Sequence, residues 1–217
     1  KIKVIIIEED GNTFSAEHDL KELKASRKNT DKGKAYFKDV MLKCSKLMQS
    51  IVNNPKPVIA EVAGVATAAG CQLVASCDLA YAGESARFAT PGVNIGLFCS
   101  TPMVALSRNV SNKHSMEMLL TGDLISSSKA AEIGLINKMI NDNDLQNFVL
   151  ERALKISKKS AMTLKIGKEA FYKQIDMTLS EAYDYASNVM VENMLKLDAE
   201  EGIDAFINKR TPNWQDK

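Results

Sequence analysis

Two strand-length runs, at 4–7 and 58–62, are built almost wholly of Ile, Val and Ala, and the stretch between them repeats apolar residues at steps of three and four. Phe37, Val40, Met41, Cys44, Leu47, Met48 and Ile51 form that stripe, which predicts an amphipathic helix over 36–52, stopped by Asn53-Asn54-Pro55-Lys56-Pro57. A short helical stretch at 72–76 and two more strand-length runs, 78–82 and 86–89, follow. Strand, helix, strand, helix, strand is the order of a sheet with crossover helices, hence an α/β fold. The first strand covers 1–8 and ends at Asp10-Gly11-Asn12; 14–20 reads as a loop, 20–27 as a helix start and 28–34 as a polar loop. From Met103 onward the pattern is helical, at 103–109, 112–120, 127–133, 142–158, 160–172, 178–195 and 199–209. The expected division is an α/β core over 1–140 and a helical region over 141–217.

Charge narrows the partners. Lys and Arg total 28 against 27 Asp and Glu, a formal net charge of +1, so no nucleic acid or other polyelectrolyte is expected. Apolar residues make up 45% of the chain, enough for a core and too many for disorder. No apolar run approaches the roughly 18 residues of a membrane span, and Lys1-Ile2-Lys3-Val4 opens no targeting segment. Cys44, Cys71, Cys77 and Cys99 form no Cys-x-x-Cys pair and no His stands at zinc-like spacing, so reduced thiols and no metal site are expected.

Four segments carry candidate chemistry. Ala66 to Cys71 holds only small side chains between a strand and a helix. Such a segment allows tight strand–helix packing; it also lets a ligand approach free amides at a helix start, where a developing oxyanion can be held. Both readings stay open on these residues alone. His18 lies among carboxylates after the first strand, either a solvated loop histidine or a general base near neutral pH. The turn-rich stretch 88–102 supplies Asn94, Cys99, Ser100 and Thr101, but no Gly-x-Ser-x-Gly elbow and no base nearby in sequence. Lys209-Arg210, after a helix, is either a solvated helix end or a grip for a phosphate.

Taken together, the segments resemble the crotonase superfamily, the enoyl-CoA hydratase/isomerase family. Phe14-Ser15-Ala16-Glu17-His18-Asp19-Leu20-Lys21 is similar to its F-x-A-G-x-D-hydrophobic-K loop, and Lys56-Pro57-Val58-Ile59-Ala60-Glu61-Val62-Ala63-Gly64 to its K-P-V-I-A-x-V-x-G strand. Ala69-Gly70-Cys71-Gln72-Leu73, Cys77-Asp78-Leu79-Ala80-Tyr81-Ala82, Phe88-Ala89-Thr90-Pro91, Leu120-Thr121-Gly122-Asp123, Ala130-Ala131-Glu132-Ile133-Gly134-Leu135-Ile136 and Glu201-Gly202-Ile203-Asp204-Ala205-Phe206 follow in the family's order. The resemblance implies a ClpP/crotonase-like spiral of β-β-α units followed by helices that build a homotrimer or homohexamer. It implies an acyl-CoA thioester as substrate or ligand, with no tightly bound cofactor. The thioester oxygen would be held, as an enolate forms, by the backbone amides of His18 and Ala69. The CoA contacts it implies run along Ala16, Glu17, Asp19, Leu20 and Lys21, with Phe206 and Lys209 reaching CoA across a subunit interface. The compartment implied is the cytoplasm for a bacterial source and the mitochondrial matrix for a eukaryotic one.

The chain departs from the pattern where proton transfer is concerned. Gln72 and Gly92 stand where hydratases of the family place two glutamates, and neither exchanges a proton near neutral pH. Glu17 replaces the loop glycine, and the family's initial strand pair and helix have no counterpart before Lys1. The expected activity is therefore enoyl-CoA hydratase/isomerase-like enolate stabilisation by a lyase or isomerase with other groups in play (His18, Gln72, Asn94, Cys99, Ser100), standard hydration being weak or absent. The alternative is a non-catalytic acyl-CoA-binding or regulatory oligomer of fatty-acid metabolism.

Overall fold

The computed structural model describes residues 2–16 and 18–217, which form two compact units. The larger comprises 6–52 and 58–150, the smaller the residues up to Ile5, 53–57 and 151–217.

The larger unit repeats a strand–strand–helix step. β1 (Ile5–Ile7), β2 (Thr13–Ser15) and α1 (Leu20–Ser26) begin it, and α2 (Lys34–Val52) crosses over. β3 (Val58–Val62), β4 (Val65–Thr67) and α3 (Ala69–Ser76) make the next step. β5 (Leu79–Gly83), β6 (Arg87–Ala89), a 3₁₀ turn at Pro91–Ile95, α4 (Pro102–Asn109) and α5 (Asn112–Thr121) make the third. β7 (Ile125–Ser126), α6 (Ser127–Glu132) and β8 (Lys138–Ile140) complete the strands. Among the described residues the strands pair into two four-stranded sheets, β1-β3-β5-β8 and β2-β4-β6-β7. The pairs β3–β5, β5–β8, β2–β4 and β4–β6 are parallel and β6–β7 is antiparallel. Successive strands of one step thus belong to different sheets, and the chain spirals between them. Val62, Ile59, Phe88, Leu106 and Leu119 are among the largest fully buried side chains.

Four local elements differ from their expected form. The loop expected over 14–20 contains the end of β2, and the small-residue segment contains β4. β7 and β8 fill gaps between the expected helical segments, where no strand was expected. Strands of two or three residues are too short to show an alternating period. α3 begins at Ala69, three residues before the expected Gln72, because its first turn holds a glycine that reads as a breaker.

The smaller unit holds the second half of α7 (Leu145–Ser157), α8 (Ala161–Gln174), α9 (Leu179–Met194) and α10 (Leu197–Ile207). Its C-terminal strap is tied by charge. The buried Asp198 carboxylate accepts the amides of Gln215 at 2.7 Å and Asp216 at 3.0 Å. Arg210 donates to both oxygens of Glu201, at 2.7 Å each, and to Asp204. Trp214 donates its indole N–H to the Lys158 carbonyl at 2.8 Å. Leu179, Leu195, Phe206 and Ile207 remain exposed. Among the described residues no helix is long and apolar enough to cross a membrane.

Candidate active site

The strongest local geometry lies where β4 turns into α3. Ala68 precedes the helix with φ +48° and ψ −112°, in a region that favours glycine. Two bonds hold it there: its N–H donates to the Ala89 carbonyl at 3.0 Å, and its own carbonyl accepts the Gln72 amide at 3.0 Å. The first amides of a helix have no partner inside it. Gly70 gives its N–H to the Ala16 carbonyl at 3.2 Å, which lashes the end of the 13–16 segment to the helix start. A Cβ at Gly70 would overlap the Ser15 carbonyl, so only glycine permits this approach. The half-buried Ala69 finds no acceptor for its N–H among the described residues. That amide therefore stands at a helix N-terminus with its hydrogen-bonding capacity unspent.

The other sequence-chosen residues divide into those this geometry gathers and those it employs elsewhere. Ala16 is gathered, through its carbonyl, and His18, half-buried, lies two residues further on. Glu17 lies outside the described residues. Asp19 caps α1, its carboxylate accepting the Lys21 amide at 2.7 Å and the Glu22 amide at 3.4 Å; Leu20 and Lys21 open that helix, exposed. Gln72 sits one turn after Ala69 and is buried. Its Oε1 accepts the thiol of Cys44 on α2 at 3.7 Å, and burial pushes that thiol's pKa up. Gly92 is buried in the 3₁₀ turn, donating its N–H to Cys99 Sγ at 3.3 Å and accepting the Leu97 amide at 2.9 Å. A Cβ there would stand 2.8 Å from the Leu97 carbonyl oxygen and 2.9 Å from Cys99 Sγ. Ser100 is exposed and turns its hydroxyl back to the Phe98 carbonyl at 3.2 Å, and Asn94 is exposed. Phe206 (86% exposed) and Lys209, with φ +53°, belong to the smaller unit.

The four cysteines are buried and, among the described residues, form no disulfide. Cys71 in the first turn of α3 is the most enclosed, its pKa pushed up to about 12 by burial first and by Cys99 second. Such a thiol is inert as a nucleophile near neutral pH. Among the described residues no three His, Cys, Asp or Glu side chains converge to hold a metal ion.

Two features of the site escape a sequence reading. Ala68 has no turn signature, so its conformation is invisible before the fold is known. Thr90, fully buried beside Ala89, has a hydroxyl with no hydrogen-bond partner among the described residues, and nothing in Phe88-Ala89-Thr90-Pro91 announces it.

Comparison with known proteins decides the family. The family model described as enoyl-CoA hydratase/isomerase matches residues 1–217. The chain belongs to the enoyl-CoA hydratase/isomerase family. It is 50% identical over 213 residues to the mitochondrial enoyl-CoA hydratase domain-containing protein 3 of Xenopus laevis, covering 98% of this chain and 71% of that protein. The crystal structure of human enoyl coenzyme A hydratase domain-containing protein 3 superposes with a TM-score of 0.93 at 50% identity, over 98% of this chain and 82% of that one. An enoyl-CoA hydratase structure from Mycobacterium smegmatis gives a TM-score of 0.92 at 43% identity, over 98% and 80%. The α/β spiral with a helical C-terminal region is thus the crotonase fold of this family.

Proposed function

We propose that this family member binds an acyl-CoA thioester and stabilises its enolate with the backbone amides of His18 and Ala69. The observation that carries the reading is the Ala69 N–H, unspent at the start of α3 beside a loop end that Gly70 ties down. Preorganised donors of this type contribute about 3–4 kcal/mol each to a developing oxyanion. Because main-chain groups do the work, the side chains at 18 and 69 are free to vary. Coenzyme A would run along Ala16 to Lys21, with Phe206 and Lys209 serving it from another subunit of a homotrimer or homohexamer. The exposed Leu179, Leu195, Phe206 and Ile207 support self-association. The vertebrate relatives are mitochondrial proteins by name, which supports a mitochondrial location, read here as the matrix, for a eukaryotic source; a bacterial one would keep the protein in its cytoplasm.

A second reading has its own support. With Gln72 and Gly92 at the positions of the two family glutamates, neither of these positions offers a carboxylate to move the α-proton and the water. Gln72 is moreover engaged with Cys44 and space at Gly92 is taken by Leu97 and Cys99. On this reading the protein holds an acyl-CoA thioester without turning it over, as a binding or regulatory oligomer.

One experiment tests the shared claim and separates the two. The amide linking Ala68 to Ala69 is replaced by an ester in the full-length protein, which removes the N–H and keeps the dihedrals. A ¹³C-carbonyl acyl-CoA bound to the unaltered protein should show a lowered C=O stretch, and the ester variant should lose that lowering. Turnover of an acyl-CoA panel falling about 10²–10³-fold identifies the enzyme; a lowered stretch without product identifies the binder. An identical stretch in both proteins would refute the oxyanion assignment.

A further inference from the structure

Proline follows threonine at three places in the chain: Thr90-Pro91, Thr101-Pro102 and Thr211-Pro212. A hydroxyl just before proline is the feature that one class of protein kinase reads, since proline offers no backbone N–H and biases the residue before it toward an extended backbone. The fold treats the three pairs differently. Thr90, just past β6, is fully buried, and Thr101 is half-buried with the helical φ of −77° and ψ of −42° that lead into α4. Thr211 is exposed, the chain from Arg210 to Lys217 is irregular, and among the described residues the Thr211 hydroxyl has no hydrogen-bond partner.

Thr211 also sits inside a charged clasp. Arg210 donates Nη1–H to one Glu201 oxygen at 2.7 Å and to the Thr211 carbonyl at 3.5 Å. Its Nη2 donates to the other Glu201 oxygen at 2.7 Å and to Asp204. Two N–H groups on each terminal nitrogen make four donors, and these contacts use them all. Glu201 also accepts the Asn213 amide at 2.6 Å, so one carboxylate holds the chain on both sides of Thr211. Beyond it, Trp214 is held by the Lys158 carbonyl, and Gln215 and Asp216 by Asp198. Every one of these partners belongs to the smaller unit.

A phosphate brings roughly 1.5 to 2 negative charges and three acceptor oxygens near neutral pH. At Thr211 it meets two carboxylates that already share one guanidinium, whose terminal donors are spent. It gains Arg210 only by taking it from Glu201 or Asp204, and both acids repel it in either case. We propose that Thr211 is a phosphorylation site for a proline-directed kinase, and that the phosphate opens the Arg210–Glu201 clasp and loosens the strap at Asn213. In that step Thr211 Oγ1 attacks the γ-phosphorus of ATP. The O–P bond forms, the bond from phosphorus to the β–γ bridging oxygen breaks, ADP leaves, and the hydroxyl proton passes to the kinase's aspartate. The inference rests on the smaller unit alone and stands apart from the oxyanion reading.

The test treats the protein with a mitogen-activated protein kinase and magnesium ATP, maps phosphate by tandem mass spectrometry and follows amide hydrogen exchange by NMR. Phosphate is expected at Thr211, with Thr90 and Thr101 labelled at least tenfold more slowly in the folded protein. In the phosphoprotein the Asn213 amide should exchange at least tenfold faster, while the amides of β3 keep their protection. Thr211→Val should take up no phosphate at that position and keep Asn213 protected with or without the kinase. No label at Thr211, a label at Thr90 or Thr101 within tenfold of it, or unchanged Asn213 exchange in the phosphoprotein would overturn the proposal.

Discussion

Ala68 is the residue on which the candidate site turns. Its φ of +48° costs a side-chain-bearing residue about 1–3 kcal/mol, held in place by the bonds to Ala89 and Gln72. Ala68→Gly should remove the Cβ strain, and the extra freedom of the unfolded chain offsets part of the gain. The expected outcome is a stabilisation of about 1 kcal/mol in urea unfolding with the Ala69 amide left in place; a loss of stability would show that the strain is absent. The residue scale is also where the sequence is least legible. The run Ala66-Thr67-Ala68-Ala69-Gly70 shows that something approaches the backbone closely, but not which amide stays free, because that depends on Ala16, just past β2, and Ala89 of β6. The same holds for Gln72, whose side-chain partner Cys44 lies on α2.

At the scale of elements, legibility follows length. The helices of the second half match their expected bounds closely; in α5 and α7 to α10, ten or more residues of 3.6-period pattern leave little choice. β2, β4, β7 and β8 carry no such signal and exist because neighbouring strands offer a ladder. Only the family resemblance, with its β-β-α step, implies the second strand of the first two steps; β6 is legible as the run 86–89. Helix starts can be tested one at a time. Ser160, buried, caps α8 by accepting the Thr163 amide at 3.2 Å. Ser160→Ala should cost about 1–2 kcal/mol, read as a shift in urea midpoint with an unchanged slope. A cost near zero would mean that water replaces the cap.

For the whole molecule, pH dependence should be written in the C-terminal strap. Arg210 first, and the Asn213 amide second, hold the Glu201 carboxyl down to about 2. A carboxylate depressed in the folded state contributes stability that is full above its unfolded value near 4.5 and is lost as pH falls through about 2. Thermal unfolding followed from pH 6 to pH 2 should therefore fall more steeply in the unaltered protein than in Glu201→Gln. High salt should narrow the difference, because the pair is partly exposed. Parallel curves for the two proteins would show that the strap does not report acid. Gly92 has a consequence on a longer scale. With the Leu97 carbonyl oxygen and the Cys99 sulfur already crowding the space beside its Cα, any side chain at this turn has to be preceded or accompanied by a shift of the neighbouring segment, so acceptable substitutions at 92 are contingent on changes at 97–99.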